Sequence, residues 1–72
     1  MINIQKGNAI SFDYLNWKNE RNKRRAVVMN VSYGSTEYHT ESCWLMEAYD
    51  LAKKDTRVFA MKDMSNVQKI VD

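Results

Sequence analysis

Residues 10–14 read Ile-Ser-Phe-Asp-Tyr, so apolar and polar side chains alternate along this short run. A period of two is typical of a β-strand with one buried face, because successive side chains point to opposite faces of a sheet. We therefore predict a first strand at residues 9–16. A polar stretch at 18–23 and a second apolar run at 24–33 follow, and together they predict a hairpin with a long, solvated tip.

The run at 24–33 has apolar residues at both odd and even positions, which indicates a strand in the centre of a sheet. The odd-numbered residues of this strand are predicted to share one face: Arg25, Val27, Met29, Val31 and Tyr33. The even-numbered residues from Ala26 to Ser32 share the other face.

Two further strands are predicted downstream, at residues 43–49 and 56–61, with a turn at 50–55 between them. Residues 62–66 fit one helical turn. The final segment at 67–71 fits either a fifth strand or a short helix, and the pattern does not decide between them.

These segments predict a single all-β domain over residues 1–72. A sheet this small has exposed edges, so we expect it to curl into a five-stranded SH3-like or Sm-like half-open barrel with one short helical turn. A hydrophobic content of 44% excludes a disordered chain. No apolar run approaches the roughly 18 residues of a membrane span.

The composition gives little direct information about function. Eleven Lys and Arg residues against nine Asp and Glu residues leave a net charge of +2, which does not by itself indicate nucleic-acid or membrane binding. The single cysteine, Cys43, cannot form an internal disulfide, and the first residues lack the basic-then-apolar layout of a secretory signal. We therefore expect a cytoplasmic protein that does not bind a membrane.

The basic residues cluster in the predicted hairpin. Between residues 18 and 25 a single Glu accompanies five cations: Lys18, Arg21, Lys23, Arg24 and Arg25. With Tyr14 and Trp17 beside them, these cations could bind phosphates while the rings stack on bases, which predicts a single-stranded nucleic-acid ligand. The alternative is a solvated hairpin tip. Within a strand, Arg24 and Arg25 point to opposite faces, so only one of them can line a pocket.

The segment at 37–50 has the opposite character, with four acidic residues and no Lys or Arg. Complementary basic and acidic surfaces steer association, so the chain could form a homodimer or bind a protein partner. The alternative is that the two charged regions meet within the fold.

The aromatic residues fall into two groups. Four of them lie in predicted strands and are expected in the core: Tyr14, Trp44, Tyr49 and Phe59. Three others fall at strand ends or in loops and are expected to contact something outside the fold: Trp17, Tyr33 and Tyr38.

Arg57 shares a predicted strand face with Phe59 and Met61. A cation on an otherwise apolar face either pairs with an acid, such as Asp50 or Asp13, or binds an anionic ligand.

Catalytic and metal sites are only weakly indicated. His39, Glu41 and Cys43 are two residues apart, so an extended chain would place all three on one side, but no second cluster of ligands supports a metal site. The sequence has no Gly-rich phosphate loop and no obvious acid or oxyanion donor that would serve Cys43 as a nucleophile. We expect no enzymatic activity, no metal and no cofactor.

The order of residues at 44–61 is more specific than a strand pattern requires. It reads Trp-Leu-Met-Glu-Ala-Tyr-Asp, then a Lys-rich turn, then Arg-Val-Phe-Ala-Met. This order resembles the core of the WYL domain family, which typically reads Trp-Tyr-Leu, two residues, an aromatic and Asp, then a turn and Arg-x-Phe. The opening at 10–14, with the hairpin and arginines after it, is similar to the family's first strand and the start of its second. The resemblance covers roughly residues 9–68.

The sequence departs from the family pattern at four points. Leu45 stands in place of the central Tyr of the triplet, and Val28 stands in place of a usual Pro. After the fourth strand, Lys62 and Asp63 occupy the places of an acid and a base. No segment corresponds to a helix-turn-helix.

The resemblance implies a sensor or regulatory module that binds a nucleotide-like or single-stranded nucleic-acid ligand. WYL domains most often follow a winged-helix DNA-binding domain in bacterial transcription regulators, and they also occur in phage-related systems. The ligand-binding residues expected from this resemblance are Arg24, Arg25, Tyr33, Trp44 and Arg57. Arg25 and Arg57 would bind phosphate, and Tyr33 or Trp44 would stack on a base. The alternative is a phage-encoded or mobile-element-encoded module that binds or inhibits a host protein complex.

Overall fold

The computed structural model describes residues 4–16, 18–36 and 41–70. Most of them belong to five strands and a one-turn 3-10 helix: β1 Ala9–Leu15, β2 Arg21–Gly34, β3 Cys43–Asp50, β4 Asp55–Ala60, the helix Met61–Asp63 and β5 Met64–Lys69. The strands form one antiparallel sheet in the order β4-β3-β2-β1-β5. The predicted all-β fold is confirmed. Within the described ranges, no helix is long and apolar enough to cross a bilayer.

The sheet curls so that β1 meets β4, although two strands separate them in the sheet. The Phe12 and Phe59 rings pack edge to face with their centroids 5.1 Å apart. The Ala60 amide donates a hydrogen bond of 3.0 Å to the Tyr14 hydroxyl, and burial raises the pKa of this tyrosine above its usual value of 10.0. Strand pairing of the described residues ends at β4 and β5, so closure of the sheet into a barrel stays a prediction.

The core lies on the concave face of this curl. It consists of seven buried residues from four strands: Ile10, Phe12, Ala26, Val28, Met46, Ala48 and Phe59. Full burial of a large apolar side chain contributes about 1.5–3 kcal/mol. A core with so few large residues leaves a small margin of stability, so each of them matters to the fold.

A β-bulge at Met29 changes which residues of β2 face the core. Val28 pairs with Ala48, but Asn30 pairs with Glu47, so one extra residue of β2 lies between the two pairs. The bulge reverses the alternation beyond it. Val31 and Tyr33 therefore lie on the core face with Val28, and the prediction that all odd residues of this strand share the opposite face is wrong.

The β1–β2 connection is much shorter than predicted, because β2 already begins at Arg21. The Asn16 side-chain oxygen accepts hydrogen bonds from the amides of Lys18 and Glu20, each 2.9 Å long. Asn19 adopts a φ of 66°, a left-handed conformation that asparagine tolerates better than most residues. The expected long, solvated tip is therefore a tight turn, and most of the basic hairpin lies within a strand.

Side-chain hydrogen bonds shape the turn that precedes β4. The Asp50 side-chain oxygen Oδ1 accepts hydrogen bonds from the amides of Ala52 at 3.0 Å and Lys53 at 3.1 Å, which shapes the β3–β4 turn.

After the 3-10 helix the chain returns as strand β5, which pairs with β1. The helical alternative for the last segment is therefore wrong as far as Lys69.

Candidate nucleic-acid interface

The face of the sheet opposite the core, called here the outer face, carries three cations from β2. Arg21, Lys23 and Arg25 alternate with residues that point to the core side, and all three are exposed. Residues two apart in an antiparallel strand are separated by about 6.8 Å, so these cations form an evenly spaced line, the basic row. None of them makes an ion pair with another described residue. Within the described part of the chain, no ion pair therefore competes with an anion for the row.

The neighbouring strand places one carboxylate, that of Asp13, beside the basic row. Asp13 of β1 lies directly opposite Lys23 in the register, but its Oδ2 accepts a hydrogen bond of 2.7 Å from the side-chain amide of Asn66. Ser11 lies opposite Arg25. Lys18, one of the two hairpin cations outside the row, is exposed in the β1–β2 turn.

Arg24 points to the opposite side from the basic row and is engaged within the fold. Its Nη1 lies 3.6 Å from Oδ2 of Asp50, which is fully buried, and only 18% of the Arg24 side chain is exposed. The Arg24 Nε and the Asp50 Oδ2 are both buried and make no hydrogen bond with the described residues. The predicted alternative that the basic and acidic regions meet within the fold is therefore true of this one pair.

Tyr49 is the aromatic residue that shares the outer face with the basic row. It pairs with Val27 of β2, which lies two residues beyond Arg25, so Tyr49 and Arg25 are diagonal neighbours about 7–8 Å apart between adjacent strands. The ring is 38% exposed, so the prediction that Tyr49 belongs to the core is wrong. The signal available in the sequence was that Tyr49 has the same parity in β3 as the charged Glu47, although Leu45 of the same parity is buried.

Tyr33 and Trp44 lie on the core side of the sheet, near the last residue of β2 and the first residue of β3. They are directly paired, and their rings pack edge to face with centroids 5.3 Å apart. The Tyr33 hydroxyl donates a hydrogen bond of 3.4 Å to the Ser42 carbonyl. The two side chains are 62% and 57% exposed, so the predicted core position of Trp44 is wrong. The exposure of Tyr33 leaves it accessible to something outside the fold, and that contact stays a prediction.

Arg57 lies at the edge of the sheet on β4, opposite Ala48 and two residues from the buried Phe59. The shared face with Phe59 agrees with the predicted strand pattern. The side chain is exposed and forms no ion pair with any residue that the structure describes, so neither of the acids suggested as its partner binds it.

The predicted ligand-binding residues are thus not gathered in one place. Tyr33 and Trp44 touch each other, but they lie on the other side of the sheet from Arg25. Arg24 is engaged with Asp50. The residues that the structure does bring together are the basic row and Tyr49.

Several other predictions concern residues outside the described ranges. These are Trp17, Glu37, Tyr38 and His39. Among the residues that are described, no group of three or more His, Cys, Asp or Glu side chains is placed to hold a metal ion. Cys43 is half-buried at the start of β3.

Comparison of the sequence with models of known protein families and with curated proteins finds no match.

Proposed function

We propose that the protein is a small non-enzymatic binding module of the WYL type, and that it binds single-stranded nucleic acid or a nucleotide-like ligand on its outer face. The observation that supports this proposal is the placement of three exposed cations and an exposed tyrosine on one face of adjacent strands. Cations bind the phosphate backbone, and a ring beside them can stack on a base of any sequence.

The proposal places the ligand differently from the WYL resemblance. Arg25 keeps its role as a phosphate contact, joined by Arg21 and Lys23. Tyr49 replaces Tyr33 and Trp44 as the stacking residue, because a single strand lying along the basic row reaches that ring without leaving the outer face. A non-enzymatic module of this kind would act through the molecule that it binds.

A titration of a dye-labelled single-stranded oligonucleotide, followed by fluorescence anisotropy, tests this function. Three phosphate contacts predict that the logarithm of the affinity falls against the logarithm of the salt concentration with a slope of about −2. Reversing two cations, Lys23→Glu with Arg25→Glu, should abolish binding at low salt. The matched control, Lys62→Glu with Lys69→Glu, changes the net charge equally at two exposed positions in the 3-10 helix and β5 and should weaken binding far less.

A pair of tyrosine variants tests the stacking residue in the same assay. Tyr49→Ala should weaken binding about tenfold, because base stacking on a ring contributes about 1–3 kcal/mol. Tyr33→Ala removes a more exposed tyrosine from the other side of the sheet and should leave the affinity unchanged. The outer-face assignment fails if both variants bind equally, or if the Tyr33 variant is the weaker one.

The second candidate function is a protein-interaction module, which could come from a phage or a mobile element and act on a host complex. The exposed Tyr33–Trp44 pair favours it, because two adjacent aromatic side chains more than half exposed are typical anchors of a protein interface. In this case Trp44→Ala should abolish capture of one defined host protein from a bacterial lysate. Tyr49→Ala should not affect that capture.

A further inference from the structure

The outer face also carries exposed apolar side chains beside the basic row. Met29 is 40% exposed, Tyr49 38% and Val58 50%. The Met29 sulfur lies 3.8 Å from the Thr56 hydroxyl, so this side chain reaches from the bulge of β2 across to β4. With Val27, these four residues form the outer patch. In a monomer, contiguous exposed apolar surface of this kind usually marks a site of association.

Two opposite charges flank the outer patch. Arg25 and Glu47 are both exposed on the outer face, and neither forms an ion pair with another described residue. In the strand register, Arg25 precedes the Val27–Tyr49 pair and Glu47 follows it. The apolar centre thus has a cation at one end and an anion at the other.

We propose that a second copy of this chain docks on the outer patch, forming a symmetric face-to-face dimer. If the two-fold axis lies in the interface and across the strands, the contact brings the same patch of each protomer together and reverses the strand direction of one patch relative to the other. The cationic end of one patch then meets the anionic end of the other. Arg25 of one protomer faces the partner's Glu47, and the reciprocal pair forms at the other end of the interface.

The size of the protein is compatible with such a contact. A standard protein interface buries about 800 Å² of each partner, which is about 15% of the 5322 Å² that this protein exposes. One face of a five-stranded sheet can supply that fraction. The opposed charges at its ends fix the relative direction of the two protomers.

The dimer has a consequence for ligand binding, because Arg25 and Tyr49 would lie in both interfaces. Nucleic acid and the second protomer would then compete for the same face, and the free ligand-binding form would be the monomer. Dimerisation itself does not depend on the proposed function. It is measured without any nucleic acid, so the two proposals can fail separately.

Sedimentation analysis over a range of protein concentrations tests the dimer. The wild-type protein should associate reversibly to a dimer and no further. Arg25→Glu and Glu47→Arg each turn two attractions of the symmetric interface into two repulsions, so each should weaken dimerisation about tenfold or more. An equimolar mixture of these two variants should form a heterodimer, because every charged contact in it is again complementary.

The double variant, Arg25→Glu with Glu47→Arg, should restore the homodimer for the same reason. Trp44→Ala, on the other side of the sheet, should leave dimerisation unchanged and serves as the control. A wild-type protein that stays monomeric at high concentration would overturn the proposal, whatever the variants do. Failure of the mixture to form a heterodimer would overturn the proposed contact between Arg25 and Glu47.

Discussion

At the scale of single residues, Asp50 connects the β3–β4 turn to β2 through both of its carboxylate oxygens. One carboxylate oxygen accepts hydrogen bonds from two turn amides, and the other lies 3.6 Å from the Arg24 guanidinium. Asp50 is fully buried, so it has no water to replace these partners. In the sequence, Asp50 was one candidate partner for Arg57. Its pairing with Arg24 could not be predicted, because it depends on the alignment of β2 with β3.

Replacing Asp50 by Ala should therefore destabilise the protein severely. The variant loses the turn hydrogen bonds and leaves Arg24 mostly buried without its counter-ion, which typically costs about 3–5 kcal/mol. That loss is comparable to the whole stability expected of a chain this small. Chemical denaturation followed by circular dichroism measures the effect. Asp55→Ala, which removes an exposed carboxylate that accepts the Thr56 amide, should cost less than about 1 kcal/mol. A stable Asp50 variant would contradict this account.

At the scale of elements, the alternation of side chains predicted four of the five strands to within a few residues. It failed where the backbone departs from a regular ladder. The bulge at Met29 is hidden in the sequence because Val27, Val28 and Met29 are all apolar, so the pattern does not show where the core-facing positions change from even to odd. The tight turn after β1 depends on hydrogen bonds to the Asn16 side chain, whereas the polar composition of that stretch suggested a loop.

Deleting Met29 tests the bulge. Without this extra residue, Asn30 follows Val28 directly and the same pairs form a regular ladder, so Val31 and Tyr33 keep their places on the core face. We expect the deletion variant to fold with an unfolding temperature lowered by less than about 8 °C, because a loss of 1 kcal/mol shifts a domain of this size by about 4–8 °C. Met29→Ala keeps the bulge and should lower it by only a few degrees. A deletion variant that does not fold would contradict the assignment of Met29 as the extra residue.

At the scale of the whole molecule, the sequence predicted the fold class better than the site. The all-β sheet follows from alternation alone, and basic residues near residue 23 were correctly recognised as the densest charge in the chain. The sequence could not show which aromatic ring lies beside those cations. That depends on the register between β2 and β3, which places Tyr49 next to Val27. The aromatic residues expected to stack, Tyr33 and Trp44, are separated from the basic row by the sheet itself.

The most direct test of the ligand face is an amide chemical-shift map of the isotope-labelled protein titrated with short oligodeoxythymidine at low salt. The account predicts that the largest shifts occur at Arg21, Lys23, Arg25 and Tyr49, and that Tyr33 and Trp44 change little. Shifts centred on Tyr33, Trp44 or Arg57, or no shifts at any ligand concentration, would contradict it.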